Sequence, residues 1–306
     1  MQKRPIIIDT DPGIDDALAI AIALFSDELD VRLITTVAGN VSLEKVTYNT
    51  LRLLRFFGKR VPVAKGAKAP LILKLTDASG IHGPSGMEGF QFPEPDESLL
   101  LPEHAVEAMR RVILESAQKI TLMPIAPLTN LALLFRMYPE VRGNIQQIVM
   151  MGGSLSRGNK GVMSEFNIAT DPEAAKIVFD SGVPIVMAGL DVGLKALVLP
   201  EDSARLPELG EVGRMAHALF GRYRGGSMKT GLKMYDACAV AYLLQPDLFE
   251  TAQTFVDVEL AGTLTKGCTV ADLKGYLGQP ANATVCTDVD GERFRQWFMD
   301  RVAQCV

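Results

Sequence analysis

Residues 6–17 of the 306-residue chain read Ile-Ile-Ile-Asp-Thr-Asp-Pro-Gly-Ile-Asp-Asp-Ala, which places the four carboxylates of Asp9, Asp11, Asp15 and Asp16 within eight positions. So many clustered anions are unfavourable unless something cationic offsets them, and a hard divalent ion with oxygen ligands is the simplest offset. The spacing suits such an ion. Asp9 and Asp11 share a face in extended backbone. Pro12 and Gly13 turn the chain, and Asp15 and Asp16 then open a helix, where the dipole and free N–H groups favour carboxylates. The plainer alternative makes Asp15 or Asp16 a helix cap and Asp9 a strand-end acceptor. His82, His104 and His217 are the only histidines, which excludes a histidine-rich metal centre. There is no GxGxxG after a strand, no GxxxxGK[ST] and no GxSxG elbow.

The elements that must position these groups alternate. Apolar, β-branched runs predict strands at 6–9, 31–37, 61–64, 120–125, 148–151 and 184–190. Helical segments are expected at 15–26, 42–57, 102–118, 128–137 and 172–181. This pattern predicts an α/β fold with a mostly parallel, Rossmann-like central sheet covered by helices on both faces. The aspartates then lie at the carboxyl end of a strand, the usual ligand position in an open α/β sheet. Two stretches break the rhythm. Residues 77–94 are rich in Gly and Pro, and residues 221–234 carry four glycines and several basic residues. Each is either a plain connection or a loop over an active site. Beyond about Thr251, Phe255, Val256 and Val258 suggest a strand, Gly262 and Gly267 turns, and residues 290–302 a last helix. No repeat or low-complexity linker divides the chain, so residues 1–306 are read as a single domain.

Composition narrows the function classes. A formal net charge of -5 argues against a broad nucleic-acid footprint, which needs a basic face. Cys238, Cys268, Cys286 and Cys305 form no CxxC pair and suggest free thiols rather than a zinc knuckle or disulfide framework. The start, Met1-Gln2-Lys3-Arg4-Pro5, runs into an apolar stretch that stops at Asp9, too short for a signal-peptide core. No stretch is long and apolar enough to span a membrane. A cytoplasmic enzyme with a small-molecule substrate is the default expectation.

These motifs, taken together, strongly resemble the inosine-uridine preferring nucleoside hydrolase family, particularly its bacterial ribonucleoside hydrolases. The resemblance is carried by the aspartate loop, Val37-Ala38-Gly39-Asn40, His82-Gly83, Pro127-Leu128-Thr129-Asn130 and Met151-Gly152-Gly153. It continues through Glu165-Phe166-Asn167, residues 169–173, Gly189-Leu190-Asp191-Val192, Tyr235-Asp236 and residues 278–282. It implies a nucleoside hydrolase fold and hydrolysis of the N-glycosidic bond of ribonucleosides to ribose and free base. Position by position, it implies Ca²⁺ held by Asp11, Asp16, Asp236 and the main-chain carbonyl of Ile125, with Asp11 also the general base for a water. It assigns the ribose 2′- and 3′-hydroxyls to Asp15, Asn167 and Asp236, and the 5′-hydroxyl to Asn159 and Glu165. Asn40 would orient the metal site and ribose, Met151 would pack near the sugar, and His82 would sit beside the base. The family also implies a homo-oligomer, tetramer or dimer, with no nucleic-acid or membrane partner.

The chemistry suits the residues. Breaking a ribosyl C–N bond builds positive charge on the sugar, which carboxylates and amide oxygens favour. Metal binding lowers the pKa of water, only weakly for calcium, so a carboxylate base is a sensible addition. Two departures stand out. Many purine-competent members carry His directly before the last metal aspartate, where this chain has Tyr235, a weaker acid at neutral pH. That points to broad or pyrimidine-leaning hydrolysis of uridine, cytidine and inosine, with Tyr235 either donating to the base or packing beside it. Tyr223, between Arg222 and Arg224, either reaches the base or belongs to a solvated helix end. The second departure is Ala126, where Gly is common. The alternatives are a haloacid-dehalogenase-like phosphatase, whose strand also ends in Asp-x-Asp, and a non-catalytic nucleoside-binding relative.

Overall fold

A computed structural model describes residues 3–227 and 229–306 of the chain. Met1 and Gln2, part of the N-terminal reading, and Met228, part of the second irregular stretch, lie outside the described residues.

The chain begins β1 (Arg4–Thr10), α1 (Ile14–Phe25), β2 (Leu29–Thr36), α2 (Leu43–Phe57) and β3 (Val63–Lys65), followed by a short α3 (Ser79–His82). It continues with α4 (Ala105–Glu115), β4 (Ile120–Pro124), α5 (Thr129–Met137), β5 (Ile145–Met151), α6 (Phe166–Thr170), α7 (Pro172–Phe179), β6 (Ile185–Ala188) and α8 (Leu190–Gly193). The last third holds β7 (Leu197–Val198), α9 (Pro200–Arg205), α10 (Gly210–Phe220), β8 (Gly226–Ser227), β9 (Gly231–Lys233) and α11 (Ala237–Leu244). It closes with β10 (Phe249–Thr254), β11 (Val256–Val258), β12 (Thr269–Ala271), β13 (Ala283–Val289) and α12 (Gly291–Ala303).

Eight strands form one sheet in the order β10-β13-β6-β5-β4-β1-β2-β3. Every pairing is parallel except β10 with β13. The fold is therefore the mostly parallel α/β sheet expected. Both faces are covered, and β1 shows why its apolar run is continuous. Ile6 and Ile8 enter a core built with α1, α10, α11 and α12, whereas Ile7 enters the core on the other face with α4, α5 and α7. Side chains that alternate between two dry faces must all be apolar. Burying a side chain such as Ile6, Ile7 or Ile8 contributes roughly 1.5–3 kcal/mol, so β1 is firmly held just before the aspartates begin.

The last third departs from expectation. The strand read around Phe255–Val258 is present as β11, but it pairs with β12 in a separate two-stranded sheet, while β10 just before it joins the main sheet. At the junction of β10 and β11, Asn282 Oδ1 accepts from the Val256 N–H at 2.8 Å. The stretch 221–234 contains β8 and β9, which join β7 in a three-stranded sheet. No helix of the described residues is long and apolar enough to cross a membrane.

Candidate active site

Parallel packing brings the ends of β1, β2, β4 and β5 together, and the candidate residues follow from those strand ends. β1 stops at Thr10, and Asp11 follows. Asn40 follows β2, Ile125 follows β4, and Met151 ends β5. They surround a cavity of about 380 Å³ whose wall includes Asp15, Asn40, Ile125, Met151, Asn167 and Asp236. Asn159 and Glu165 also line it, as do His82 and Tyr235. Asp11 and Asp16 do not reach that wall. Both are fully buried and joined through Asn40, whose backbone N–H donates to Asp11 Oδ2 at 2.7 Å. The Asn40 side-chain amide donates to the Asp11 carbonyl at 3.1 Å and to Asp16 Oδ2 at 3.3 Å. Asn40 therefore fixes both aspartates at once. Gly39 is required beside it, because a Cβ there would stand 2.1 Å from Asp11 Oδ2.

Each aspartate has a distinct environment. Asp16 accepts from the Thr10 hydroxyl at 2.7 Å and from the Gly13 N–H at 2.9 Å. Asp9 accepts from Thr35 at 2.6 Å and Asn130 at 2.8 Å, leaving Oδ2 buried without a partner. Asp11 Oδ1 is likewise buried with no partner. Asp15, Asp16 and Asp236 bring ligand atoms within 4.8 Å of one another; Asp11 is not in that trio, although the charge of Asp16 acts on it. Burial raises all of these carboxyls: Asp9 to about 7, Asp15 to about 6, and Asp11 and Asp236 well above the ordinary range. Mutual repulsion adds to burial, from Asp16 on Asp11 and from Asp15 on Asp236. A bound cation would reverse both causes, and an unpartnered buried carboxylate oxygen has the chemistry to receive one.

The segment after β5 presents amides rather than bare charge. Asn167 donates to the Met151 carbonyl at 3.0 Å, which leaves its side-chain oxygen free to accept. Asn159 Oδ1 accepts from the Phe166 N–H at 2.8 Å, leaving its NH₂ free to donate. Glu165 caps α6 and accepts from the N–H groups of Gly153, Asn167 and Ile168. Burial nevertheless raises it to about 7.

The two irregular stretches supply the remaining wall. His82 Nδ1 accepts from the Ile14 N–H at 3.1 Å, so its proton belongs on Nε2, and burial lowers it to about 4. Of the two readings of Tyr223, the solvated helix end falls away: it is buried in the cavity wall, 5.7 Å ring to ring from His82. Its hydroxyl donates to the Lys233 carbonyl at 3.2 Å and lies close enough to Asp15 to favour its ionised form. Tyr235 is raised above its ordinary value by burial and then by the charge of Asp15. Its ring lies against Gly193, where a Cβ would approach to 2.3 Å. Arg224 and Lys233 line the cavity too. Motif reading passed over Thr10 and Thr35, although Thr10 lies inside the aspartate loop. His104 and His217 stand apart, the first capping α4 and the second bonded to Ser203.

The sequence model for the inosine-uridine preferring nucleoside hydrolases matches residues 6–296. The non-specific ribonucleoside hydrolase RihC of Klebsiella pneumoniae subsp. pneumoniae is 54% identical over 301 residues, 98% of this chain and 99% of that protein. RihC of Salmonella schwarzengrund is 54% identical over 295 residues, 96% of each chain. Among solved structures, the purine-preferring ribonucleoside hydrolase from Gardnerella vaginalis superposes with a TM-score of 0.91 at 30% identity, covering 99% of both chains.

Proposed function

The chain belongs to the inosine-uridine preferring nucleoside hydrolase family, and from that premise we propose that it is a calcium-dependent ribonucleoside hydrolase of broad or pyrimidine-leaning base preference. It is an N-glycosyl hydrolase by family, and the phosphatase alternative falls with that assignment. The observation that carries the calcium reading is the unpartnered, fully buried Asp11 Oδ1 behind the acidic trio of Asp15, Asp16 and Asp236. These all-oxygen donors fit a hard divalent cation, with Asp11, Asp16, Asp236 and the Ile125 carbonyl as its proposed ligands. Bound there, calcium would supply positive charge that acidifies and orients a water.

The protein's own groups do the rest. Asp11 accepts the proton of the attacking water. Asp15, Asn167 and Asp236 accept from the ribose 2′- and 3′-hydroxyls, while the free Asn159 amide and Glu165 take the 5′-hydroxyl. Gripping three hydroxyls spends binding energy away from the reacting bond to fix its geometry. Asn40 orients Asp11 and Asp16, Met151 packs against the sugar, and His82 and Tyr235 face the base. Residues 1–306 are proposed to act as one domain in a cytoplasmic homo-oligomer, tetramer or dimer.

A reducing-sugar assay on uridine, cytidine, inosine and adenosine, with and without a calcium chelator, tests this reading. Ribose release that stops on chelation and returns with added calcium is the expected result. Release indifferent to chelation would overturn the calcium mechanism, and tight uridine binding without cleavage would make the chain a non-catalytic relative.

A further inference from the structure

Glycosidic cleavage separates charge. The ribosyl group becomes cationic while the base departs with the bonding electron pair. The carboxylates at the strand ends suit the first charge; the second must be met from the wall that the loops supply. His82 has one ring nitrogen occupied by the Ile14 N–H. The Tyr223 hydroxyl is engaged by the Lys233 carbonyl. Tyr235 offers a neutral phenol. Three cations line the cavity: Lys160, Arg224 and Lys233. Lys160 lies over the Phe166 ring at 5.3 Å, on the segment that bears Asn159. Arg224 donates to the Gly80 carbonyl at 3.2 Å. The Lys233 ammonium has neither an ion-pair partner nor a side-chain hydrogen bond among the described residues.

Its backbone, by contrast, is fixed. The Lys233 N–H donates to the Gly225 carbonyl at 3.0 Å, its own carbonyl accepts from Tyr223, and it pairs with Leu197 across β7 and β9. The residue thus stands two positions before Tyr235 on the cavity wall, its unpaired charge carried on a flexible four-carbon stem from a fixed backbone. An ammonium and a phenol have similar ordinary acidity, but only the ammonium brings a full positive charge to a developing anion, and charge-assisted hydrogen bonds are roughly twice as strong as neutral ones.

We propose that Lys233 is a catalytic residue that stabilises and protonates the departing base, a role that rests on the hydrolase reading above. The C1′–N bond breaks and its electron pair passes to the base. The water oxygen forms the new bond to C1′ and surrenders a proton to Asp11. A Lys233 Nζ–H proton passes to the base, and bulk water restores it to the lysine.

The test compares uridine with p-nitrophenyl β-D-ribofuranoside, whose phenolate leaves without a proton, in the full-length wild type, Lys233→Met and Lys233→Arg at saturating calcium. Lys233→Met should lower kcat/KM for uridine at least about 100-fold, the scale of a general acid, and lower the activated riboside far less. Lys233→Arg, which keeps the charge but holds its proton, should recover only part of the uridine activity. Parallel losses on both substrates, or no loss on either, would overturn the assignment. A wild type that cleaves neither substrate would instead overturn the hydrolase reading beneath it. Circular dichroism and Tm of each variant separate a folding defect from a lost donor, and Lys233→Gln replaces Lys233→Met if the latter fails to fold.

Discussion

The strand-end half of the cavity and its loop-borne half are built on opposite principles. At the strand ends the carboxylates are anchored by fixed partners, with only Asp9 Oδ2 and Asp11 Oδ1 left open among them: Asn40 clamps Asp11 and Asp16, Thr10 and Gly13 hold Asp16, and Thr35 and Asn130 hold Asp9. On the loop side, Tyr235 is partly buried against Gly193, Arg224 bridges the two loops through Gly80, and Lys233 is unpaired among the described residues. The difference teaches where each property resides. The reacting sugar needs pre-organised groups on rigid elements, whereas base preference can vary on loops carried by that scaffold.

The sharpest way to break this comparison is to remove one hydroxyl from the substrate. If Asp15, Asn167 and Asp236 are fixed acceptors, 2′-deoxyuridine leaves buried polar groups unpaired. Its kcat/KM should fall about 10⁴-fold below that of uridine, the scale for sites built around a hydroxyl. Equal turnover of the two nucleosides would show that the strand-end half does not grip ribose. The next largest effect belongs to Asp11. Asp11→Asn keeps the acceptor for the Asn40 N–H but loses the base, and kcat should fall about 10³-fold with little change in KM. A KM effect alone would assign Asp11 to binding.

The two halves also differed in how far they were legible from sequence. The aspartate loop is local: a buried strand, a Pro-Gly turn and a helix start within twelve residues, so charge clustering alone points to an oxygen-bound cation. Asp236 lies more than two hundred positions later, and only the resemblance joins it to that loop. Elements went unread for identifiable reasons. α10 contains Gly210 and Gly213, which lower helix propensity. α11 is eight apolar residues long, too short for periodicity to separate helix from strand. β13 carries Thr284, Thr287 and Asp288 among its apolar residues, blurring the pattern of a buried strand. Tyr223 gave no local sign of burial, because its partners Asp15 and His82 reach it only through the fold.

His82 joins the halves and offers a thermodynamic test. Burial lowers it from 6.5 to about 4. The unfolded chain therefore takes up a proton below about 6.5, while the folded chain refuses it until about 4. Stability from this group is fully present above 6.5 and is lost as pH falls toward 4, by roughly 3 kcal/mol in all. Asp9, Asp15 and Glu165 titrate with the opposite slope because burial raises them, so the useful quantity is a difference. Urea unfolding of wild type and His82→Asn at pH 7 and pH 5, at one calcium concentration, should show wild type losing more stability than the variant. Identical losses would mean that His82 is protonated in the folded protein.

The smallest effect sharpens the comparison most, because it asks whether the loop-borne half alone sets base preference. Tyr235 precedes the proposed ligand Asp236, yet its hydroxyl has its acidity weakened by burial and then by Asp15. A phenol held that way can donate a hydrogen bond but is a poor proton source at pH 7. Tyr235→Phe should therefore cost less than about 10-fold in kcat/KM on uridine, the worth of one neutral hydrogen bond. Tyr235→His should favour inosine over uridine by about 10-fold, since an imidazole can protonate a purine as it leaves. Both changes should leave calcium dependence and 2′-deoxyuridine rejection as they were, because neither touches the Asn40–Asp11–Asp16 clamp. An inosine-to-uridine ratio unmoved by either substitution would reduce Tyr235 to a wall residue and leave base selection to the rest of the loop. A change in calcium requirement would show instead that the two halves are coupled through Asp236.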